Sequence, residues 1–357
     1  MIAAHLPAPR TADARLLVVD ERGTITHRAR AGFASLIRDG DVVVANDAAT
    51  LPASLSGVHV RSGRPVEVRL AGRDSLLPRD VTRFTAVVFG AGDYRTPTEH
   101  RPAPPALSPG DAVRLGPLSA TVLTVMGHPR LIEIGFRLPM AEIWEGIVRH
   151  GRPIQYAYVP QPLAIWDTWT QFAALPVAFE APSAGFFLDW TAIGSLRTRG
   201  ATFLTLTHAA GISSTGDSVL DQRLPLDEPY YVPASTAASI EICRRRGGRV
   251  IAIGTTVVRA LEHAARTDGT VRTGHGLATQ RIGALTPLRC VNAIVSGTHD
   301  PGTGHYELLR AFADDDVLRR MDSEANSRGY QTHEFGDSVW LERRPGERQS
   351  LLLEQAS

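Results

Sequence analysis

The chain has 357 residues, 43% of them hydrophobic and 21% charged, a length that favours about two domains with cores of their own and excludes a small disulfide-stapled fold. Its 38 basic residues against 37 acidic ones leave a formal charge of +1, which argues against a strongly basic nucleic-acid coat but leaves room for a local patch; all 38 are arginine, which excludes phosphate-loop lysines, pyridoxal Schiff bases and lysine general bases. No apolar run is long enough to cross a bilayer, and residues 1–20 lack the basic start and apolar core of a secretory leader, so a cytoplasmic location is expected.

Residues 15–20 and 21–27 read as a hairpin turning at Arg22-Gly23, and residues 42–45 as a short buried strand ending at Asn46-Asp47. From about Leu55 to Gly135 the pattern changes to short β-rich runs at 59–61, 66–70, 84–89, 112–115, 120–125 and 131–134, punctuated by Gly and Pro. That spacing predicts a small antiparallel barrel, with residues 101–105 as a surface loop. After Gly151 helical and strand patterns alternate: a helix near 187–196, a strand at 204–208, a helix at 234–246 closed by Gly247-Gly248, a strand at 249–253 and a helix at 257–265. The expected fold is α/β: a larger mixed α/β catalytic domain, residues 1–54 and 151–357, carrying an inserted small antiparallel β-barrel domain, residues 55–150.

The strongest chemical unit is Val250 to Glu262. A buried strand ending in Gly254-Thr255-Thr256 delivers hydroxyls and free backbone N–H groups at a helix start, which suits an anion such as a carboxylate, although a threonine capping the helix explains the same letters. Arg259 and Glu262, three apart, read equally as a surface pair. Ser183-Ala184-Gly185 after Pro182 would let a flat ligand approach the backbone, or simply make a tight turn. His208 closes a strand at the sheet edge where ligands gather, as do Asn46-Asp47, Thr298-His299-Asp300 and Phe335-Gly336-Asp337. The Arg244–Arg246 run complements a helix dipole, and Trp166 and Trp169 serve either base stacking or ordinary packing. Cys243 and Cys290 carry no zinc spacing and read as buried reduced thiols.

In this order the segments resemble the S-adenosylmethionine:tRNA ribosyltransferase-isomerase family of queuosine biosynthesis. The resemblance rests on residues 40–47 with 51–57, on Pro182-Ser183-Ala184-Gly185, Leu206-Thr207-His208, residues 250–262, Thr298-His299-Asp300-Pro301 with 308–312, and Phe335-Gly336-Asp337; the Gly-Thr-Thr-x-x-Arg-x-Leu-Glu stretch is the most specific. It implies a two-domain enzyme that transfers and isomerises the ribosyl moiety of S-adenosylmethionine onto 7-aminomethyl-7-deazaguanine in tRNA, giving epoxyqueuosine, adenine and methionine, with no metal. The partners it implies are tRNA and S-adenosylmethionine, with no membrane and no protein partner. Mapped onto this chain, His208 is the general base or a substrate-orienting group, with Glu228 as a second candidate. Gly254, Thr255, Thr256 and Arg259 hold the methionine carboxylate or ribose, Ser183, Ala184 and Gly185 line the nucleoside pocket with Asn46 at its edge, and His299 and Asp337 close the site.

Several positions depart from the family pattern. Phe187 stands where the family has a histidine, residues 209–214 replace a Val-Gly-x-Gly-Thr-Phe stretch, and a motif of two histidines and a glutamate aligns with Arg223, Leu226 and Glu228. Phe and Leu cannot shuttle a proton; Arg223 can donate hydrogen bonds but is no base at neutral pH. The alternatives are the same scaffold using S-adenosylmethionine with a different, small-molecule acceptor, or a non-catalytic binding protein.

Overall fold

A computed structural model describes residues 1–6 and 14–344. Among them nine strands make one sheet, ordered Gly274–Ala278, Glu228–Val232, Thr202–His208, Val42–Asn46, Val250–Ile253, Ala293–Gly297, Ser338–Glu342, Arg15–Val19 and Ile25–Ala29. The four strands from Thr202–His208 to Ala293–Gly297 run parallel. Their central members are apolar on both faces because both faces are covered, and every residue of Val42–Asn46 is buried. One face packs on the helices Ala234–Arg245, Thr255–Ala264 and Asp315–Ser327, the other on Trp190–Thr198.

The chain leaves this sheet after Val42–Asn46 and returns to it with Thr202–His208. In between, Ser54–His59, Pro65–Gly72, Arg83–Phe89, Ala112–Leu115, Leu118–His128 and Leu131–Phe136 close into a six-stranded barrel. Alternating inward residues such as Val66, Val68 and Leu70 fill it, and the helix Met140–His150 covers it with Ile143 and Ile147.

Local expectations needed correction in several places. The strand expected at 59–61 ends at His59, because Gly63 takes a left-handed φ of 65° and turns the hairpin there. Arg101, expected on a surface loop, is buried: it bonds Glu67, and Glu67 also accepts from Arg69 Nε at 2.8 Å. The helix expected at 187–196 begins at Trp190, where the Asp189 side chain caps it by accepting from the Ala192 N–H at 2.7 Å. Both cysteines are free and buried. Trp166 and Trp169 are not core residues: both are exposed, Trp166 by 72%, and Trp169 donates its indole N–H to the Thr50 carbonyl at 3.0 Å. No helix of the described residues is long and apolar enough to cross a membrane.

Candidate active site

Parallel strands bring the ends Asn46, His208, Ile253 and Gly297 to one rim of the sheet, the rim on which open α/β sheets bind ligands. Asn46 ties two of these ends. Its Oδ1 accepts from the His208 N–H at 2.9 Å and its Nδ2 donates to the His208 carbonyl at 2.9 Å, so a side-chain amide continues the ladder where the backbone stops. Nδ2 also reaches Thr256 Oγ1 at 3.4 Å, and Oδ1 accepts from the Ala48 N–H at 3.1 Å. Asn46 thus spends its polar atoms on the scaffold of the rim.

His208 is fully buried and neither ring nitrogen has a hydrogen-bond partner, though Nε2 lies 3.4 Å from Glu228 Oε2. Burial, reinforced by the Arg259 guanidinium, holds its pKa down at about 3. A neutral imidazole of this kind offers one donor and one acceptor and is a weak proton acceptor. Glu228 takes the Gly211 N–H at 2.6 Å and Arg259 Nη1, and burial raises its carboxyl against the pull of that guanidinium. Arg259 spends its remaining fork on the carbonyls of Ala278 at 2.9 Å, Leu226 at 3.1 Å and Gln280 at 3.2 Å. The surface-pair reading of Arg259 and Glu262 is corrected: both are buried, and Glu262 accepts the N–H groups of Arg289, Cys290 and Val291 at 2.7, 3.0 and 2.8 Å.

The helix Thr255–Ala264 is entered through Gly254 at φ 96°, with no side-chain cap, which corrects the threonine-cap reading. Thr255 Oγ1 instead pairs with His305 Nδ1 at 3.0 Å. The helix's first-turn N–H groups have no intrahelical partner and stay available to an anion. Ala184, in the turn Ser183–Phe187, sits on this corner so closely that a Cβ at Gly254 would lie 3.1 Å from its own. Phe186 stacks on Phe335 at 5.6 Å, whereas Phe187, in the place of a family histidine, turns into the core and meets Phe33 edge-on at 5.0 Å.

His299 stacks on His305 at 4.6 Å, and burial depresses both, His305 to about 4. His333, a non-glycine residue at φ 70°, stacks on Tyr158 at 4.3 Å and lies close enough to depress His299 further. Two expected members stand apart from this group. The Asp337 carboxylate is taken up by Arg15 N, Nε and Nη2 at 2.9, 3.1 and 2.6 Å and by the Gln331 N–H at 2.9 Å, so it ties down the strand Arg15–Val19. Arg223 is exposed, its guanidinium over Gly127 of the barrel.

Residues not singled out from sequence complete the site: Tyr156, Tyr158, Glu180, His305, His333 and Glu334. His333 and Glu334 immediately precede the Phe335-Gly336-Asp337 segment, so extending that segment by two residues would have found them. Tyr156 and Glu180 are 24 residues apart and meet only in three dimensions. Among the described residues no group of three or more His, Cys, Asp or Glu side chains is placed to hold a metal ion.

Comparison with known proteins gives one family from end to end. A family model described as queuosine biosynthesis protein matches residues 1–341. An S-adenosylmethionine:tRNA ribosyltransferase-isomerase of Thiobacillus denitrificans is 29% identical over 351 residues, 96% of this chain and 94% of that one. Its counterpart in Thermosynechococcus vestitus is 31% identical over 346 residues, 95% of this chain and 92% of that one. The crystal structure of an S-adenosylmethionine tRNA ribosyltransferase from Thermotoga maritima shares the fold, with a TM-score of 0.50 and 23% identity over 95% of this chain and 96% of that one.

Proposed function

The chain belongs to the queuosine biosynthesis protein family, and on that premise we propose that it transfers and isomerises the ribosyl moiety of S-adenosylmethionine onto 7-aminomethyl-7-deazaguanine in tRNA, giving epoxyqueuosine, adenine and methionine. The observation that carries this reading is the end-to-end match: relatives bearing that enzyme's name align over nearly the whole of both chains. The chemistry asks for a base near the ribose, because a sulfonium acidifies the adjacent C–H, and for hydrogen bonds to the departing adenine. His208 and the Glu228–Arg259 pair supply a neutral imidazole and a buried carboxylate 3.4 Å apart at the rim. Of the two, Glu228 is the stronger proton acceptor and His208 the orienting group. The methionine carboxylate takes the N–H groups and hydroxyls of Thr255 and Thr256, Gly254 donating its own N–H to the Val295 carbonyl at 2.7 Å, and Ser183 to Gly185 border the nucleoside. The reaction runs in the cytoplasm, where tRNA is found.

Ala184 packs against Gly254 at this corner, so the Ser183–Phe187 turn borders the place the donor takes. Incubation with S-adenosylmethionine and tRNA bearing the aminomethyl base, followed by mass analysis of the nucleosides, tests the proposal: epoxyqueuosine is expected, with adenine in equal amount. A second reading, the same donor with another acceptor, is favoured by one observation: Phe187 has given up an imidazole to the core. Adenine release without epoxyqueuosine would select it.

A further inference from the structure

Beside the rim lies a cavity lined by Gln155, Tyr156, Tyr158, Glu180, Glu334 and Phe335. Its carboxylates are held by phenols: Tyr156 donates to Glu180 Oε1 at 2.5 Å and Tyr158 donates to Glu334 Oε2, while the Ser213 N–H reaches the other oxygen of Glu180 at 3.1 Å. No ion pair to either carboxylate is formed among the described residues. The neighbouring guanidinium, Arg69, lies over the Tyr156 ring at 5.5 Å; its Nε donates to Glu67, its Nη1 has no hydrogen-bond partner, and it faces Glu180 without forming an ion pair to it. The amide of Gln155 is likewise spent, on Val159, Gln161 and Leu163.

Glu180 and Glu334 are half-buried, and a carboxylate partly withdrawn from water gains from protonation or from a cation beside it. Burial does push the Glu180 carboxyl up to about 7, so near neutrality it stands ready for either. Tyr156 and Tyr158 stack at 5.8 Å, with Arg69 over the Tyr156 ring and His333 stacked on Tyr158, so the rings hold the carboxylates in place through their hydroxyls rather than through open faces. The free space admits a group of about the size of a water molecule. That is enough for a primary ammonium and too little for a sulfonium with three carbon substituents. The cavity also adjoins the rim, because Phe335 stacks on Phe186 and Tyr158 stacks on His333.

We infer that this cavity receives a primary ammonium and, resting on the ribosyl-transfer reading above, that the ammonium is the aminomethyl group of the acceptor base, so that Glu180 and Glu334 select the acceptor by its charge. A base with a neutral substituent at that carbon leaves two carboxylates unmatched. S-adenosylmethionine also carries a primary ammonium on its amino-acid end, and the test separates the two sources.

Wild type is compared with Glu180→Gln and Glu334→Gln. The measurements are the Kd for tRNA carrying the aminomethyl base, the Kd for tRNA carrying a nitrile at the same carbon, and the KM for S-adenosylmethionine. Each variant is expected to weaken the amine-bearing tRNA by about tenfold or more while the nitrile tRNA and S-adenosylmethionine move less than about twofold. In wild type the preference for amine over nitrile grows from pH 6 to pH 8 as Glu180 ionises; in Glu180→Gln it stays flat. The groups that face Glu180 are Tyr156, Tyr158, Glu334 and Arg69, and the tyrosines stay neutral across that range. Variants that keep the amine preference overturn the inference, as does a rise confined to the KM for S-adenosylmethionine. A wild type that binds and turns over neither substrate sinks the ribosyl-transfer reading itself. A variant that melts early is replaced by Tyr158→Phe, which loosens Glu334 without removing it and is expected to reduce the same preference.

Discussion

His208 is the residue on which the site's chemistry is most exposed to test. Its side chain is buried without a hydrogen-bond partner, an arrangement that costs free energy unless a substrate supplies one. His208→Ala is expected to lower adenine release from S-adenosylmethionine by roughly 100- to 1000-fold, the usual loss for one preorganised hydrogen-bonding group. Unchanged turnover would remove it from the mechanism. The same burial has a pH consequence. With its pKa near 3 in the folded chain, against 6.5 for an ordinary histidine, the unfolded chain binds the extra proton between those values. Stability is therefore complete above about pH 6.5 and falls as pH drops toward 3; His208→Gln flattens that decline, as urea unfolding at pH 7 and pH 5 would show. Glu228 and Arg259 form a coupled unit. Arg259→Met strands a buried carboxylate and is expected to cost roughly 3–5 kcal/mol, whereas the double change with Glu228→Leu costs much less than the sum. Additive losses in a double-mutant cycle would show that the two do not act as a pair.

At the scale of elements, the strand–glycine–helix corner at Gly254 decides the geometry of the rim. A side chain there meets both an unfavourable φ of 96° and the Ala184 Cβ. Gly254→Ala is expected to destabilise the fold by about 1–3 kcal/mol and to impair activity beyond that, with denaturant unfolding and turnover measured side by side. This corner was legible in the sequence, because four apolar residues, a glycine and two threonines before an amphipathic run form a local pattern. So were the barrel strands and the buried strand Val42–Asn46. What the letters concealed was partnership over long separations. Arg259 and Glu262 look like a solvent pair by their spacing of three, yet their partners come from residues 226–228, 278–280 and 289–291. Asp337 looked like a site residue from its motif, and only the fold shows that Arg15, 322 residues away, claims it. Thr255 lost its expected capping role because Gly254 brings the chain into the helix with no need of one.

For the whole molecule, a near-zero net charge distinguishes the two substrates by their response to salt. Binding of tRNA is expected to weaken steeply between 50 and 200 mM salt as counterions are released, with a slope set by the arginine–phosphate contacts, while the affinity for S-adenosylmethionine stays nearly constant. A tRNA affinity indifferent to salt would argue for a small acceptor instead. All 38 cationic side chains being guanidinium groups, those contacts are forked and directional rather than point-like.

The seat of Ala184 on Gly254, two residues before the Phe186 that stacks on Phe335, carries a thermodynamic corollary for the donor nucleoside. If the resting conformer is shut, the measured dissociation constant equals the intrinsic one divided by the open fraction, a tax that loosening the latch refunds. Phe335→Ala should then tighten equilibrium capture of S-adenosylmethionine by calorimetry even as it slows chemistry, by dispensing with the work of prying the aromatic latch apart.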